Sequence, residues 1–511
     1  MGWNDWAHYQ CGYTAKTILD NAHALVSTGL AALGYNTVAI DDCWMQKDRA
    51  PNGNLQADPK RFPIGMKPVA EEVHKLGLKF GIYEDAGSET CARFAGMGQP
   101  QGGGQSHFLQ DARLFASWNI DYAKLDVCNI YVPPGSSDVA IHRKLYAVYR
   151  SALNSTGHRI ILEAPGIFQG TPDYYDMLIA AHHYGQLSRE GTDMANYHAN
   201  HPDRSRFNSV LWNYAYNLQL GRFQKPGSWD YPDFVIAGDG GMNIAESRSQ
   251  MALWSMMSSP LILSSDVAKL SHQALSILGN KAVIAIDQDP MGQMATLVRR
   301  SQKTDVLFKR LADGEYAAAV LNRSEAPVRV NLHPAEFGFA GSGCTLSAKD
   351  LWNGKEQSSV SSLQAEVGSH DTAIWRIQAS SECGKPTRTG TITLTDNVRS
   401  RHHSIEGYAR CLAAPGTVGE CTGTPSQRWT FTHQGALRSG DQCMAVVDGK
   451  PVQKACRSVS AQHWRYTLKG NLVNNGDLLC LTSAGPESKP QSLRMQVCGH
   501  NLRSQIWSLP N

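Results

Sequence analysis

The chain has 511 residues, and 48 lysines and arginines against 45 aspartates and glutamates give it a formal net charge of +3. A charge this balanced argues against a nucleic-acid partner, and no apolar run reaches the roughly 18 residues of a membrane span. Hydrophobic residues make up 42% and charged residues 18%, which excludes long disorder. At about 150 residues per domain, the length predicts two to four domains or a large barrel with appendages.

The cysteines and sequons indicate an oxidising compartment. Twelve cysteines, an even number, fit an exported protein with six disulfides. The sequons that begin at Asn154 and Asn322 fit the same compartment. Residues 1–6 are typical of a barrel strand rather than of a signal peptide, so we expect upstream residues to have been removed. The sequence therefore predicts a secreted, extracellular protein with glycans at Asn154 and Asn322.

Residues 1–290 alternate short apolar strands with amphipathic helices. The predicted strands are 1–6, 37–40, 79–83, 122–125, 159–162, 182–187, 229–238 and 259–263. The predicted helices include 13–34, 67–76, 104–118, 141–154 and 245–258. Repeated strand-then-helix units form parallel sheets, and eight strands predict a (β/α)8 barrel.

Acidic residues recur where the predicted barrel strands end. They are Asp41, Asp42, Glu84, Asp85, Asp126, Glu163, Asp193 and Asp266. A single aspartate at a strand end more often caps the next helix. Six acidic strand ends together favour a site, because all these ends face one mouth of a barrel.

Residues 291–380 lose the helical period. Apolar segments at 306–311, 316–321, 328–332 and 372–377 alternate with polar turns. This pattern predicts a small antiparallel β-sandwich that follows the barrel. The Thr- and Gly-rich stretch 382–395 is expected to be a hinge into a third unit.

Residues 390–511 contain a threefold repeat. Each copy has a first cysteine, a second cysteine and a Gln-x-Trp run: Cys411, Cys421 and Trp429; Cys443, Cys456 and Trp464; Cys480, Cys498 and Trp507. Three such copies predict pseudo-threefold packing with the disulfides Cys411–Cys421, Cys443–Cys456 and Cys480–Cys498. The pattern resembles the ricin-B-type β-trefoil, a carbohydrate-binding module. Sugar-binding copies of that module often carry an aspartate soon after the first cysteine, and only Asp448 stands near such a position.

Two stretches of the barrel pair a cation with an acid. Lys124 precedes Asp126 by two residues on one strand, and Arg189 precedes Asp193 by four on a loop. Two carboxylates about 5–5.5 Å apart are enough for a retaining glycosidase. The residues alone leave open that each pair is a local salt bridge on a solvated loop.

Five motifs occur in one order along residues 1 to about 380. They are Met1-Gly2-Trp3-Asn4-Asp5-Trp6, Ile40-Asp41-Asp42-Cys43-Trp44, Gly81-Ile82-Tyr83-Glu84-Asp85-Ala86-Gly87, Lys124-Leu125-Asp126-Val127-Cys128 and Pro226-Gly227-Ser228-Trp229. The chain resembles the family 27 glycoside hydrolases, the α-galactosidase (melibiase) family, and especially secreted fungal members with a C-terminal ricin-B-type domain. The resemblance implies a retaining exo-α-galactosidase acting on oligosaccharides or galactomannan, with no metal or organic cofactor.

The same resemblance implies a role for each site residue. Asp126 matches the nucleophile and Asp193 the acid/base. The substrate-binding set is Asp41 and Asp42 for the 6- and 4-hydroxyls, Lys124 for the 3-hydroxyl, Glu163 and Arg189 for the 2-hydroxyl side, and Trp6 and Tyr83 as aromatic walls. Cys11–Cys43 and Cys91–Cys128 match disulfides of the family, which leaves Cys344 and Cys383 to pair by elimination. Because all these residues precede 195, removal of residues from about 390 onward is expected to leave hydrolysis of a small substrate nearly intact.

Two departures and two alternatives accompany the resemblance. The chain has Trp229-Asp230-Tyr231-Pro232-Asp233 where the family has Trp-Asn-Asp-Pro-Asp, and Ala164 where a tryptophan is common. The alternatives are a β-L-arabinopyranosidase of the same family and a sugar-binding protein that has lost catalysis. The short Asp41 leaves room for galactose's 6-CH2OH, and the presence of both Asp126 and Asp193 favours an enzyme.

Overall fold

The computed structural model describes residues 1–98, 105–166, 174–194, 206–239, 241–395, 410–484 and 490–511. Within these ranges the predicted fold class is confirmed: a (β/α)8 barrel is followed by an antiparallel β-sandwich and a β-trefoil. Among the described helices none is long and apolar enough to cross a membrane.

Eight short parallel strands form the barrel. They are β1 (Gly2–Asn4), β2 (Thr37–Ala39), β3 (Lys79–Asp85), β4 (Tyr122–Asp126), β5 (Ile161–Pro165), β6 (Leu187–Arg189), β7 (Trp229–Tyr231) and β8 (Ile262–Leu263). Consecutive strands pair, and β1 also pairs with β8. A parallel bridge between Val235 and Leu263 closes the ring. In register, Lys124 lies opposite Tyr83 and Asp126 opposite Asp85, so their side chains meet at one end of the barrel.

Ten helices lie in the described residues of the barrel domain. They are α1 (Trp6–Tyr9), α2 (Ala15–Ser27), α3 (Met66–Lys75), α4 (Phe108–Ser117), α5 (Asp138–Ser155), α6 (Tyr174–Tyr184), α7 (Arg206–Asn217), α8 (Ile244–Met257), α9 (His272–Leu278) and α10 (Lys281–Asp287). Local capping explains where several begin: Thr14 caps α2, Ser137 caps α5, and Asn243 with Glu246 forms a capping box on α8.

The predicted strand 182–187 is wrong in its first half. His182 lies in the last turn of α6, and β6 begins only at Leu187. The residues that extend α6, His182, His183 and Tyr184, are partly buried or exposed, and so short a segment does not distinguish the end of a helix from a strand by its pattern. Likewise the predicted strand 1–6 ends at Asn4, and Trp6 already begins α1. Part of the predicted helix 104–118, Gly104, lies outside the described residues.

Eight strands form the β-sandwich. They are β9 (Thr296–Arg300), β10 (Thr304–Arg310), β11 (Tyr316–Asn322), β12 (Val328–Leu332), β13 (Leu346–Asp350), β14 (Glu356–Val360), β15 (Leu363–Val367) and β16 (Thr372–Ala379). Six of them form one sheet, while β12 and β15 form a second. The core between them includes Val306, Val320 and Trp375. The Cys344–Cys383 disulfide expected by elimination is present.

The trefoil begins at Thr389 and its three copies are equivalent. Its strands are β17 (Thr389–Thr391), β18 (Thr393–Leu394), β19 (Arg410–Ala413), β20 (Thr417–Gly419), β21 (Arg428–Phe431), β22 (Leu437–Ser439), β23 (Gln442–Val447), β24 (Lys450–Ala455), β25 (Trp464–Tyr466), β26 (Leu472–Asn474), β27 (Cys480–Ala484), β28 (Gln491–Gln496) and β29 (Trp507–Ser508). The indoles of Trp429, Trp464 and Trp507 are buried, and each donates to the carbonyl oxygen of the residue after the first cysteine of its copy. All three trefoil disulfides are confirmed, as are Cys11–Cys43 and Cys91–Cys128.

The trefoil packs directly against the other two domains, and the predicted hinge is wrong. The stretch forms β17 and β18 instead, and a Cβ added at Gly390 would lie 2.5 Å from the carbonyl oxygen of Leu297 in β9. Thr and Gly are frequent in linkers, but here they let two backbones approach closely. Ile506 of the trefoil is buried in the same core cluster as the barrel residues.

Ionic contacts cross the same boundary. Asp176 on α6 accepts hydrogen bonds from Lys469 at 2.6 Å and from Asn501 at 3.0 Å. On the barrel side, Nε of Arg222 donates to the carbonyl oxygen of Leu468 at 2.8 Å. The trefoil is therefore anchored to the barrel by polar as well as apolar contacts.

The two predicted glycosylation sites differ in exposure. Asn154 is exposed near the end of α5. Asn322 is fully buried, and its Nδ2 donates to the carbonyl oxygens of Ala326, Val367 and Gly368. The structure thus contradicts the predicted glycan at Asn322, because that nitrogen is enclosed and already bonded.

Expression in a glycosylating host provides the test. We expect peptide mass spectrometry to find a glycan at Asn154 and unmodified Asn322, since the acceptor nitrogen must be accessible. Asn154→Gln should remove the whole glycan mass, whereas Asn322→Gln should leave it unchanged. A glycopeptide containing Asn322 would contradict the burial of this side chain.

Candidate active site

The structure brings the predicted site residues to one mouth of the barrel. They follow or end the strands: Trp6 after β1; Asp41 and Asp42 after β2; Tyr83 on β3; Lys124 and Asp126 on β4; Glu163 on β5; Arg189 and Asp193 at and after β6. In parallel barrels this carboxyl-terminal face holds the active site. Asp126 and Asp193 are partly exposed there, whereas Lys124, Glu163 and Arg189 are buried.

Lys124 is fixed by a carboxylate and two aromatic rings. Its Nζ lies 2.6 Å from Oδ2 of Asp41 and about equally far from the ring centres of Tyr83, at 5.4 Å, and Phe234, at 5.3 Å. Burial acts to lower the pKa of Lys124, but the charges of Asp41 and Glu163 outweigh it, so the pKa lies above its usual value. Lys124 therefore carries a permanent positive charge inside the mouth.

Backbone amides orient Asp41 and Asp42. The amide of Asp41 donates to Oδ1 of Asp5 at 2.8 Å, and Asn4 donates to Oδ2 of Asp41 at 2.9 Å. Oδ2 of Asp42 accepts from the amide of Ala92 at 2.8 Å. Burial raises the pKa of Asp42 despite these bonds. The pair is thus held in one orientation, as a site that distinguishes sugar hydroxyls requires.

Asp126 sits in a polar and partly open environment. Its Oδ1 accepts from the amide of Val127 at 2.9 Å, and its Oδ2 lies 3.2 Å from the phenol of Tyr83 and 3.5 Å from Sγ of Cys91. Burial, and next the charge of Asp126, raises the pKa of the neighbouring Asp85 well above its usual value. Asp85 therefore adds less negative charge beside Asp126 than an exposed aspartate would.

Tyr83 contacts both Lys124 and Asp126. The side chain is 1% exposed, with its ring towards Lys124 and its phenol towards Asp126. The phenol therefore supports the nucleophile candidate Asp126, and the role of Tyr83 as an aromatic wall stays a prediction. Trp6 remains partly exposed at the rim, as an aromatic wall requires.

Tyr122 fixes the carboxylate of Glu163. The phenol of Tyr122 donates to Oε2 of Glu163. The tyrosine ring fits inside the barrel because Gly81 on the next strand has no side chain: a Cβ there would lie 2.6 Å from Cδ1 of Tyr122. Burial raises the pKa of Glu163 to about 7, while Lys124 and the Tyr122 hydrogen bond limit the rise.

Arg189 links two carboxylates across the mouth. Its Nη2 pairs with Oδ1 of Asp193, and its Nε lies 3.4 Å from Oδ1 of Asp233. Burial acts to lower the pKa of Arg189, but Asp233, Asp193 and Asp126 raise it well above its usual value. The Asp193 side chain is 40% exposed and faces the open mouth.

Sequence reasoning missed several residues of this site. Asp233, Tyr122 and Phe234 contact the predicted residues but were not assigned. The only sequence signal for Asp233 was its place at the end of the Trp-Asp-Tyr-Pro-Asp run after β7.

Two groups of residues with metal-ligating side chains occur among the described residues. Ligand atoms lie within 4.8 Å of one another in Asp85, Cys91, Asp126 and Cys128, and in His182, Glu190 and Asp230. In the first group the sulfurs form a disulfide and offer no thiolate. In the second, Nε2 of His182 lies 2.9 Å from Oδ1 of Asp230. A disulfide thus joins two members of the first group, and a hydrogen bond joins two members of the second.

The site defines a class of protein. A (β/α)8 barrel with two partly exposed aspartates at its mouth, one beside a tyrosine and one on an arginine, has the groups of a glycoside hydrolase. The description "Alpha galactosidase A" belongs to the family profile that matches residues 1–289, and "Alpha galactosidase C-terminal beta sandwich domain" to the one that matches 301–377. The chain belongs to this α-galactosidase family of glycoside hydrolases. Residues 404–507 match the ricin-type β-trefoil lectin domain.

Comparisons with individual proteins point to the same family. The chain is 35% identical to α-galactosidase A of Aspergillus niger, with all of this chain and 91% of that protein aligned. It is 33% identical to the α-galactosidase of Oryza sativa over 73% of this chain and 83% of that one. The crystal structure of α-galactosidase I from Mortierella vinacea superposes with a TM-score of 0.66 at 29% identity, covering 75% of this chain and 97% of that chain. A β-L-arabinopyranosidase from Geobacillus stearothermophilus has a TM-score of 0.63 at 21% identity, which shows a common fold.

Proposed function

We propose that the protein is a retaining α-galactosidase that removes terminal α-D-galactosyl residues. The observation that carries the proposal is the placement of Asp126 and Asp193 at the mouth, with Asp193 held by Arg189 and Asp126 beside Tyr83. The family relatives, which include α-galactosidases from a fungus and a plant, support the same activity.

The reaction proceeds in two displacements. A carboxylate oxygen of Asp126 attacks C1 of the sugar while Asp193 gives its proton to the departing glycosidic oxygen, so the C1–O bond breaks as the ester forms. Asp193, now ionised, takes a proton from water, whose oxygen attacks C1 and releases Asp126. Two inversions at C1 leave the α configuration unchanged.

The buried charges around the two acids would select galactose. Asp42 accepts from the axial 4-hydroxyl and Asp41 from the 6-hydroxyl, while Lys124 donates to the 3-hydroxyl. Glu163 and Arg189 face the 2-hydroxyl. A glucoside would leave the Asp42 carboxylate without the axial donor, and an unpaired buried polar group costs about 1–3 kcal/mol.

A stereochemical assay tests the proposal. Proton NMR during hydrolysis of p-nitrophenyl α-galactoside should show α-galactose as the first product, followed by mutarotation. Release of β-galactose would contradict a double displacement, and an inert protein would favour a binding role. The p-nitrophenyl α-glucoside serves as the specificity control and should react at least about a hundredfold more slowly.

Asp41 provides a prediction about sugar selectivity. Asp41→Glu adds a methylene where the 6-hydroxyl should lie and displaces the carboxylate from its 2.6 Å contact with Lys124. We expect kcat/KM to fall on an α-galactoside by about a hundredfold and to fall much less on the corresponding β-L-arabinopyranoside, which lacks the 6-CH2OH group.

The comparison of the two substrates decides this prediction. Asp20→Glu, an exposed change on α2 far from the mouth, should leave both rates unchanged. An equal loss on both substrates in Asp41→Glu would mean that Asp41 does not read the 6-position.

Secretion and the natural substrate are further parts of the proposal. Six disulfides support an oxidising, extracellular location. A trefoil of lectin type next to a galactosidase barrel supports action on oligosaccharides such as raffinose or melibiose, or on galactomannan side chains.

A further inference from the structure

The loop that carries Asp193 is bound by a buried asparagine of α7. Asn213 is 0% exposed. Its Oδ1 accepts from the amide of Thr192 at 3.1 Å, and its Nδ2 donates to the carbonyl oxygen of the same residue at 2.8 Å. One side-chain amide therefore satisfies both backbone groups of the residue that immediately precedes Asp193.

The same side chain reaches a second loop. Nδ2 of Asn213 also donates to the carbonyl oxygen of Pro232 at 3.0 Å. Pro232 immediately precedes Asp233, and both Asp193 and Asp233 pair with Arg189. Asn213 thus ties together the two loops whose acids hold one guanidinium.

The chain between Arg189 and Asp193 is shaped to meet Asn213. Gly191 has φ 138°, in the region that favours glycine, and a Cβ there would lie 2.5 Å from Oδ1 of Asn213. Asn217, one turn further along α7, donates to the carbonyl oxygen of Glu190 at 2.5 Å. The close approach and the two asparagines fix the loop backbone from one side.

We infer that Asn213 is a positioning residue for the acid/base, which it aligns through Thr192 and through the Arg189–Asp233 pair. The inference rests on the proposed role of Asp193. A general acid must lie about 2.6–3.2 Å from the oxygen it protonates, and a misplacement of about 1 Å can cost a hundredfold in rate. Only an amide side chain offers Thr192 and Pro232 both an acceptor and donors at this position.

Substrates with different leaving groups distinguish a positioning role of Asn213 from a purely structural one. Galactosides with a good leaving group, such as p-nitrophenol, need little protonation, whereas melibiose needs a proton on its departing oxygen. We expect Asn213→Ala to lower the first-displacement rate on melibiose about a hundredfold and the single-turnover rate on p-nitrophenyl α-galactoside less than about fivefold. Asn213→Asp keeps the acceptor for Thr192 and loses both donated bonds, so it should show the same selectivity in milder form.

Two further variants complete the experiment. Asn322→Ala removes another fully buried asparagine that bonds three carbonyls, but in the sandwich, and should leave the melibiose to p-nitrophenyl ratio unchanged. Asp193→Ala should show the largest selective loss on melibiose. With p-nitrophenyl α-galactoside, azide should attack C1 of the galactosyl-enzyme without a general base, release Asp126 and restore turnover with galactosyl azide as the product.

The outcomes distinguish the proposed role of Asn213 from the proposed role of Asp193. Equal losses on both substrates in Asn213→Ala and Asn213→Asp, with a selective loss in Asp193→Ala, would overturn the role of Asn213 alone. An Asp193→Ala variant without leaving-group selectivity or azide rescue would overturn the role of Asp193, and the inference with it. If Asn213→Ala does not fold, Asn213→Asp is judged by the same ratio.

Discussion

Replacing Asp126 with asparagine is expected to abolish turnover while galactose binding persists. The substitution keeps an oxygen that accepts from the amide of Val127 and places an NH2 that can donate to the Tyr83 oxygen, but it removes the carboxylate that would bond to C1. Loss of a nucleophile raises the barrier by several kcal/mol, so the rate should fall to less than about a hundredth of the original. Stopped assays with an aryl galactoside and calorimetry with galactose measure the two properties separately.

An aspartate just before the same strand provides a control. Asp121 precedes β4 at the opposite end of the barrel, where Oδ2 accepts from the amide of Phe80 at 2.9 Å. Asp121→Asn keeps that acceptor and should retain nearly full turnover. If Asp126→Asn keeps more than about one per cent of the rate, another group is the nucleophile.

Removal of residues 390–511 is expected to destabilise the remaining two domains rather than to leave them unaffected. The cut exposes the barrel surface that Ile506 covers, separates Asp176 from Lys469 and Asn501, and removes most of β17 from β9. Burial of one isoleucine side chain contributes about 1.5–3 kcal/mol, so we expect losses of several kcal/mol in the free energy of unfolding. Thermal unfolding of the full and shortened chains measures the difference.

A single substitution measures how much the polar contacts at this boundary contribute to stability. Asp176→Asn removes the ionic contacts and should lower Tm only slightly, because partly exposed ion pairs contribute about 0–1 kcal/mol. An unchanged Tm in the shortened chain would show that the trefoil is an independent unit, as the sequence predicted. Activity on a small galactoside should survive wherever the shortened chain is folded, since every proposed catalytic residue precedes 195.

Periodicity and repetition in the sequence predicted the architecture because both act locally. The apolar strands that end in acids predicted the barrel and its mouth, and the three Cys–Cys–Gln-x-Trp copies predicted the trefoil and its disulfides. The hinge at 382–395 was wrong because threonine and glycine are common both in linkers and in strands that approach another backbone. The boundary between α6 and β6 was missed because the last turn of α6 and the three residues of β6 are each too short for their pattern to distinguish a helix from a strand.

The resemblance identified the charged residues of the mouth but not the residues that hold them in place. Asp233 pairs with Arg189 from 44 positions further along the chain, and Asn213 reaches Pro232 across 19 positions. Such contacts depend on how strands and helices are placed in three dimensions, and no local spacing records them. The burial of Tyr83 and of Asn322 depends on packing in the same way.

The residues at positions 81 and 122 restrict each other's substitution. While the tyrosine ring is present, any side chain gained at 81 meets Cδ1 at 2.6 Å, and the ring must leave its hydrogen bond to Glu163. Replacing Tyr122 with a smaller residue removes this contact, and the Cβ of Ala39, at 3.0 Å, is then the nearest neighbour of a side chain at 81. The tolerance of position 81 for a side chain therefore depends on which residue stands at 122.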